Sequence, residues 1–378
     1  MTEGEIYTSE YNLIPKTKCY YGYDIADRFC DIIEKYEFDK IFVIAEDTVY
    51  KIYGFDIVRA LDERNINYFE NILEISEQKK KLSTVDYLCN WLISQRVTKD
   101  SIIISFGGGL IGNVAGLVAS LIYRGIRYIE IPTTFLGMTD STLSNKQAVN
   151  GDNGKNQLGT FYAPLFVWTD LKYVETENKK HFSAALIEGV KNAFIQEMGI
   201  LDDFRHCFRE IDVLNRECLM KLFETITQSK NRILQKDPTE KKYSVVLEYG
   251  HTFGHAMEFL SEGGLIHGQA VAIGMCIAAE ISLLLGKLSE DEKELHYTIL
   301  GELGLYSEYN TAQIKKMTPT MIMESIEYDN KRTSKGVRYV ILNKLGECDS
   351  LDGEWEIPVD KETVTAAIDK AFDRILKC

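Results

Sequence analysis

Three of the six histidines in this chain of 378 residues fall within seventeen positions, in Gly250-His251-Thr252-Phe253-Gly254-His255 and His267-Gly268-Gln269-Ala270. Neutral imidazole is the commonest protein ligand for a transition metal, and a carboxylate from elsewhere in the chain completes such a site. His251 and His255 are spaced i, i+4 and share one face of a helix, while His267 follows a second glycine-flanked turn. An acidic partner is available in Glu188, which sits with Lys191 in the otherwise apolar segment 183–192. A Glu and a Lys three apart on an apolar helix are costly to bury without partners, which a metal and a phosphate would supply. The spacing alone leaves open which histidines bind.

A second chemical feature is the run Phe106-Gly107-Gly108-Gly109-Leu110-Ile111-Gly112-Asn113, which follows an apolar β-rich stretch and opens a helical one. Glycines in that context let a pyrophosphate approach the N–H groups of a helix N-terminus, and they serve equally in a tight turn that packs helix on sheet. Glu46 and Asp47 end an earlier β-rich run, where carboxylates accept from ribose hydroxyls. Glu77 and Lys80 lie in a polar stretch whose Lys79–Lys81 run alone reads as a solvated charge cluster. Polar residues gather again from Asp140 to Asn150 and at Gly154-Lys155-Asn156, after Thr133-Thr134. Lysines beside amides suit a phosphosugar site, and they equally suit an exposed loop.

The elements that would position these residues are of two kinds. Short β-rich runs at 40–45, 101–106 and 128–131 alternate with helical patterns at 85–95 and 110–123, the signature of a parallel sheet covered by helices. Beyond about residue 179 the strand signal fades, and helical spacing dominates at 183–198, 217–235 and 270–285. The reading is an α/β domain over 1–178 and a mainly α-helical domain over 179–378, packed with a cleft at their junction. The length suits two domains of ordinary size.

The formal net charge of -14 would repel a polyphosphate backbone, so nucleic acid is not an expected partner. The most apolar stretch, 265–286, is interrupted by His267, Gln269 and Glu280 and reads as a core helix rather than a membrane span. The eight cysteines form no CxxC pair, and the N-terminus lacks a secretory pattern, so a cytoplasmic protein with reduced thiols is expected.

The motifs GGGxxGNxxG, IPTTFL, DSxLSxKQAVN, GKN, ExVKN, EYGHTxGHAxE, HGxAxAxGM and DNKR occur collinearly from about Glu46 to Lys331. Together they resemble the dehydroquinate synthase-like family of sugar phosphate cyclases. The resemblance implies an α/β N-terminal Rossmann-like domain that binds NAD, followed by a helical metal domain, with Zn2+ or Co2+ on Glu188, His251 and His267; His255 is then a neighbour that handles protons or phosphate. It implies NAD contacts from Glu46, Glu77, Lys80, Gly107, Gly108, Gly109, Asn113, Thr133, Thr134 and Asp140. Lys146, Glu248, His255 and Lys191 are the implied catalytic groups. Arg124, Lys155, Asn156, Lys230 and Asn192 are the implied substrate and phosphate contacts. Arg124 matches an arginine that reaches phosphate across a dimer interface, so a homodimer is expected, with room for an accessory subunit.

Three departures from the dehydroquinate synthase pattern bear on substrate. Ser244 stands where that enzyme carries an arginine for the substrate carboxylate, Glu248 replaces an asparagine, and Asn113 replaces an aspartate. An unpaired carboxylate in a closed site is strongly disfavoured, so a neutral sugar fits better, and the resemblance implies D-glucose 6-phosphate as that substrate. The implied chemistry is transient oxidation at C4, phosphate elimination, re-reduction and intramolecular aldol closure. Gln269, where the family often has Glu, is a further departure. Arg338 reads either as a phosphate contact or as a surface residue. The open alternatives are a related cyclase acting on the acid phosphate or on sedoheptulose 7-phosphate, a metal-dependent polyol dehydrogenase, and a catalytically silent subunit.

Overall fold

A computed structural model of the chain describes residues 4–11, 17–152, 154–196, 198–208, 215–237, 240, 242–327 and 336–377. The Asp329-Asn330-Lys331-Arg332 motif lies outside the described residues. By internal contacts the chain forms two compact units, Met1–Glu177 with Glu210–Thr227, and Asn178–Arg209 with Gln228–Cys378. Where the sequence reading put one break after residue 178, Asn178 belongs to the second unit and Glu210–Thr227 returns to the first.

The first unit is α/β. Its strands are β1 (Ile6–Tyr11), β2 (Thr17–Gly22), β3 (Ile41–Glu46), β4 (Tyr68–Leu73), β5 (Ile102–Gly107), β6 (Arg127–Pro132), β7 (Lys146–Val149), β8 (Leu158–Phe161) and β9 (Phe166–Asp170). Seven of them form one sheet in the order β1-β2-β9-β6-β5-β3-β4, and β7 pairs with β8 as a separate antiparallel hairpin. Every pairing in the large sheet is parallel except β1 with β2. β5 is buried along its whole length, and β3 along all but its last residue. That explains their unbroken apolar sequences, because a parallel sheet has helices on both faces. Phe42, Ile44 and Ile103 meet Val85, Leu88 and Leu92 of helix Leu82–Ser94 and Val114 and Val118 of helix Gly109–Leu121 in one core.

The second unit is mainly helical, with the small hairpin β10 (Leu342–Lys344) and β11 (Glu347–Cys348) as its regular strand structure among the described residues. At its centre lies helix His267–Leu284, in which every residue from Gly268 to Ser282 is buried. Among the described residues it is the helix long and apolar enough to cross a membrane, yet 83% of it is buried in the protein.

Two neighbours approach this helix through glycine. A Cβ on Gly268 would fall 2.3 Å from the Ala184 carbonyl oxygen of helix Lys179–Gln196, and one on Gly274 would fall 2.0 Å from the Gly250 carbonyl oxygen, just before helix His251–Leu260. Backbone atoms cannot yield at such distances. The glycines of the two histidine motifs are therefore what bring three ligand-bearing segments together.

Candidate metal centre

Helix Lys179–Gln196 turns Glu188, Lys191 and Asn192 to one face, as their i, i+3 and i, i+4 spacing requires, and all three are buried. Lys191 Nζ donates to Glu188 Oε2 at 2.6 Å. The two charges that needed partners thus satisfy each other in part. The other carboxylate oxygen, Oε1, accepts no hydrogen bond although it is buried. Two imidazole nitrogens converge on it instead, His267 Nε2 at 3.4 Å and His251 Nε2 at 3.5 Å.

Both histidines open helices, His251 after Gly250 in the left-handed region (φ 79°) and His267 after the extended Ile266. His251 Nδ1 lies 3.2 Å from the Tyr249 carbonyl, and His267 Nδ1 lies 3.2 Å from Glu258 Oε2. A carbonyl and a carboxylate only accept, so each Nδ1 carries the hydrogen, and the Tyr249 contact leaves the His251 Nε2 lone pair facing Glu188. This is how outer carboxylates and carbonyls orient metal-binding imidazoles.

Burial, with Lys191 close by, pushes the His251 imidazole well below its ordinary value and keeps it neutral. Burial also opposes protonation of His267, but the Glu188 carboxylate 3.4 Å away and the hydrogen-bonded Glu258 carboxylate prevail and raise it to about 10. Burial alone would raise the Glu188 carboxyl, yet Lys191 and the two imidazoles hold it well below the carboxylate range.

One donor atom from each of Glu188, His251 and His267 lies within 4.8 Å of the other two. Ligands bound tetrahedrally at about 2.1 Å stand about 3.4 Å apart, which matches the two measured separations, and three protein ligands is the count of catalytic zinc sites. An unbonded buried carboxylate oxygen facing two imidazole nitrogens fits a divalent cation. His255 is not in this trio. Its ring lies beside both histidines of the trio, 5.4 Å from that of His251 and 5.8 Å from that of His267, centroid to centroid.

Around the trio, Glu248 ends the 3-10 turn Tyr243–Glu248 and acts electrostatically on His251. Asn192 donates to Ser229 Oγ at 3.2 Å, and its own Oδ1 is buried without a hydrogen-bond partner. Lys230 adjoins Ser229 on helix Arg216–Lys236 and is buried. Ser244 is buried too: its hydroxyl donates to Asp237 Oδ2 at 2.9 Å, and its N–H bonds the same oxygen at 3.0 Å. The Gln269 Oε1 is buried without a partner. Arg338 is partly buried and is engaged by Glu354 at 3.0 Å and by the Glu356 carbonyl at 2.8 Å.

The remaining sequence-derived residues belong to the first unit. Gly107 (φ 155°) ends β5, Gly108 caps helix Gly109–Leu121, and a Cβ on Gly107 would strike Ile111 at 2.3 Å. Gly108 faces Thr134 and Gly109 faces Ser141, while Glu46 lies beside Gly107. Thr133 Oγ1 is buried without a partner, and Thr134 caps the short helix Phe135–Thr139, which Asp140 ends. A bare glycine turn at a helix N-terminus beside an unsatisfied buried hydroxyl fits a phosphate-bearing cofactor.

Lys80 Nζ donates to Asn113 at 2.9 Å and to Asn156 at 2.6 Å. Asn150 bonds Glu77 through the carboxylate at 2.8 Å, and Lys155 lies 3.6 Å from the same carboxylate. Glu77, Lys80 and Asn113, assigned to cofactor, are therefore joined to Lys155 and Asn156 of the GKN motif. Lys146 is exposed at the start of β7, and Arg124 is exposed on a turn (φ 67°).

Three participants were not singled out from the sequence. Glu258 closes the EYGHTxGHAxE motif, and its position seven after His251, two helical turns on, was the available signal. Asn150 ends the KQAVN motif. Ser229 carries no signal in sequence, because its role comes from a contact 37 residues away.

Residues 70–184 match the family model described as 3-dehydroquinate synthase N-terminal, and residues 185–332 match that described as 3-dehydroquinate synthase C-terminal. The chain is 34% identical over 337 residues to 2-deoxy-scyllo-inosose synthase of Streptomyces ribosidificus, covering 88% of this chain and 85% of that protein. It is 31% identical over 325 residues to 3-dehydroquinate synthase of Campylobacter jejuni, covering 84% and 90%. A crystal structure of 2-deoxy-scyllo-inosose synthase complexed with carbaglucose-6-phosphate, NAD+ and Co2+ superposes with a TM-score of 0.87 at 29% identity, over 96% of this chain and 99% of that one.

Proposed function

The chain belongs to the 3-dehydroquinate synthase family of carbon–oxygen lyases acting on phosphate, and from that premise we propose that it converts D-glucose 6-phosphate to 2-deoxy-scyllo-inosose with release of phosphate. The observation that carries the choice of substrate is Ser244. Its hydroxyl is spent on Asp237, so a substrate carboxylate at that position would meet no arginine and a buried anion besides. A neutral sugar escapes that penalty. The relative solved with carbaglucose-6-phosphate supports the same choice.

In this reading Glu46, Glu77, Lys80, Gly107–Gly109, Asn113, Thr133, Thr134 and Asp140 hold NAD, and Glu188, His251 and His267 hold Zn2+ or Co2+. When bound, NAD supplies reversible hydride transfer and the divalent cation supplies polarisation of the substrate oxygen at C4. Lys191 keeps Glu188 ionised and, with Asn192, Lys230 and His255, offers donors to phosphate. Lys155 and Asn156 add donors from the hairpin loop of the first unit. Lys146 orients hydroxyls near C4. Glu248, next to His251 through space, takes up or orients a proton at a substrate hydroxyl. The protein works as a cytoplasmic homodimer in which Arg124 serves the partner's phosphate, and its seven described cysteines are unbridged as a reducing compartment requires.

The test offers enzyme, NAD+ and Co2+ separate samples of glucose 6-phosphate, sedoheptulose 7-phosphate and the seven-carbon acid phosphate used by dehydroquinate synthase. Phosphate release and absorbance of NADH are followed together. Release from glucose 6-phosphate without net NADH is expected. Release from the acid phosphate alone would return the chain to dehydroquinate synthase chemistry, and steady NADH accumulation would make it a polyol dehydrogenase.

A further inference from the structure

Behind the metal trio lies a fully buried group that the proposed reaction does not use. Tyr249 Oη and His296 Nε2 are 2.9 Å apart, and both residues are 0% exposed. His296 Nδ1 lies 2.9 Å from the Glu292 carbonyl, which can only accept. The Nδ1 hydrogen is therefore fixed there, His296 Nε2 is an acceptor, and the Tyr249 hydroxyl donates to it. Burial lowers the His296 imidazole to about 4, so this direction holds throughout the neutral range.

His296 itself is anchored from below. It stands on helix Glu290–Glu302, whose start is closed by a capping box in which the Glu292 carboxylate takes hydrogen bonds from the Ser289 N–H and hydroxyl and a third from the Leu345 N–H. Its ring also stacks on Phe194, with centroids 4.0 Å apart. Phe194 belongs to the helix that carries Glu188, and Tyr249 is the residue whose carbonyl accepts from His251 Nδ1. One imidazole thus touches the supports of two different metal ligands.

We propose that His296 is a positioning residue that, through the Tyr249 hydroxyl and the Phe194 ring, sets the separation and tautomer of the Glu188–His251 pair. The proposal rests on the reading of Glu188, His251 and His267 as one metal centre. The geometry explains the choice of histidine over an apolar residue at a site with no access to solvent. A leucine or phenylalanine would fill the volume but leave the buried Tyr249 hydroxyl only the Met275 carbonyl, 3.5 Å away, and the Tyr249 backbone would shift to shorten that bond. A shift of a few tenths of an ångström there moves the carbonyl that holds His251.

The experiment titrates the metal-free full-length protein with Co2+, reading both the dissociation constant and the d–d absorption of the bound ion, with thermal unfolding of the metal-free protein as the fold control. His296→Phe should weaken Co2+ binding about tenfold or more, the usual effect of losing an outer metal-site partner. It should also alter the visible spectrum while leaving the metal-free protein folded. Tyr249→Phe, which keeps every backbone atom and carries the test if His296→Phe does not fold, should shift affinity the same way by less. The double variant Tyr249→Phe/His296→Leu, in which no polar group is left unpaired, should recover part of the loss. Unchanged affinity and spectrum in folded His296→Phe and Tyr249→Phe would overturn the proposal. If Glu188→Gln bound Co2+ as tightly as the wild type, the metal centre itself would fall, a different failure from that of the His296 argument. Neither readout depends on which sugar phosphate the enzyme uses.

Discussion

Glu188 is available to a cation because Lys191 engages one of its oxygens and leaves the other facing two imidazoles. The residue types and order of this trio were legible in the sequence through the motifs. The assignment of each nitrogen was not, because it depends on what lies behind each ring. Glu258 is the clearest case: it fixes the His267 tautomer, yet in sequence it is one more acid on a helix. Glu258→Ala should therefore weaken Co2+ or Zn2+ binding about 10- to 100-fold with little effect on unfolding of the metal-free protein, which a chelator competition would measure. Glu248→Gln should behave in the opposite way. It should retain metal and NAD and lose most of its phosphate release from glucose 6-phosphate, because the variant removes a proton acceptor and no ligand. An unchanged turnover would take Glu248 out of the reaction.

At the scale of elements, the three strands that the sequence announced are those buried on both faces, where apolar runs are continuous. β4 escaped notice because it lies at the sheet edge, with Glu70 and Asn71 interrupting its pattern; β2 and β9 are short and mix aromatic with polar residues, so neither shows a continuous apolar run. The glycine run read as a cofactor loop has two further duties. Gly112 faces the buried Glu130 carboxyl of β6, and Gly116 faces Gln147 of β7, so helix Gly109–Leu121 lies close over polar side chains of the elements beneath it. Burial raises Glu130 to about 7. A carboxyl whose folded value exceeds its unfolded one takes up a proton on folding, so its protonated form stabilises fully below about pH 4.5, and that contribution is lost as pH rises through about 7. The difference corresponds to roughly 3 kcal/mol. Glu130→Gln, isosteric and uncharged, should unfold at a higher temperature than the wild type at pH 8 and at the same temperature near pH 4.5. Calorimetry at the two pH values decides it, and a gap that stays constant with pH would show that Glu130 ionises without penalty.

At the scale of the whole molecule, each unit assembles its own set of groups, and the fold class followed from the change of period along the chain because strands and helices segregate so strongly. What the sequence could not supply is the setting of Arg124. Tyr123, Arg124 and Gly125 all have positive φ (50°, 67° and 124°), a costly conformation for two residues with side chains. It is held by the Gly125 N–H to the Ile122 carbonyl at 2.8 Å and the Tyr123 hydroxyl to the Val97 carbonyl at 3.1 Å. The same unit leaves Leu121, Tyr123, Leu158 and Phe161 exposed, apolar surface of the kind a partner subunit covers. If Arg124 serves the partner's phosphate, Arg124→Ala and Glu248→Gln should each be nearly inactive alone but complement each other when co-expressed with separate tags. Random pairing of equal amounts makes about half the dimers hybrid, and each hybrid carries one site with both native residues. The mixture should therefore recover about a quarter of wild-type phosphate release, and the isolated hybrid about half. Were Arg124 to act within its own subunit, neither site of the hybrid would be intact, and the purified hybrid would be as inactive as its parents.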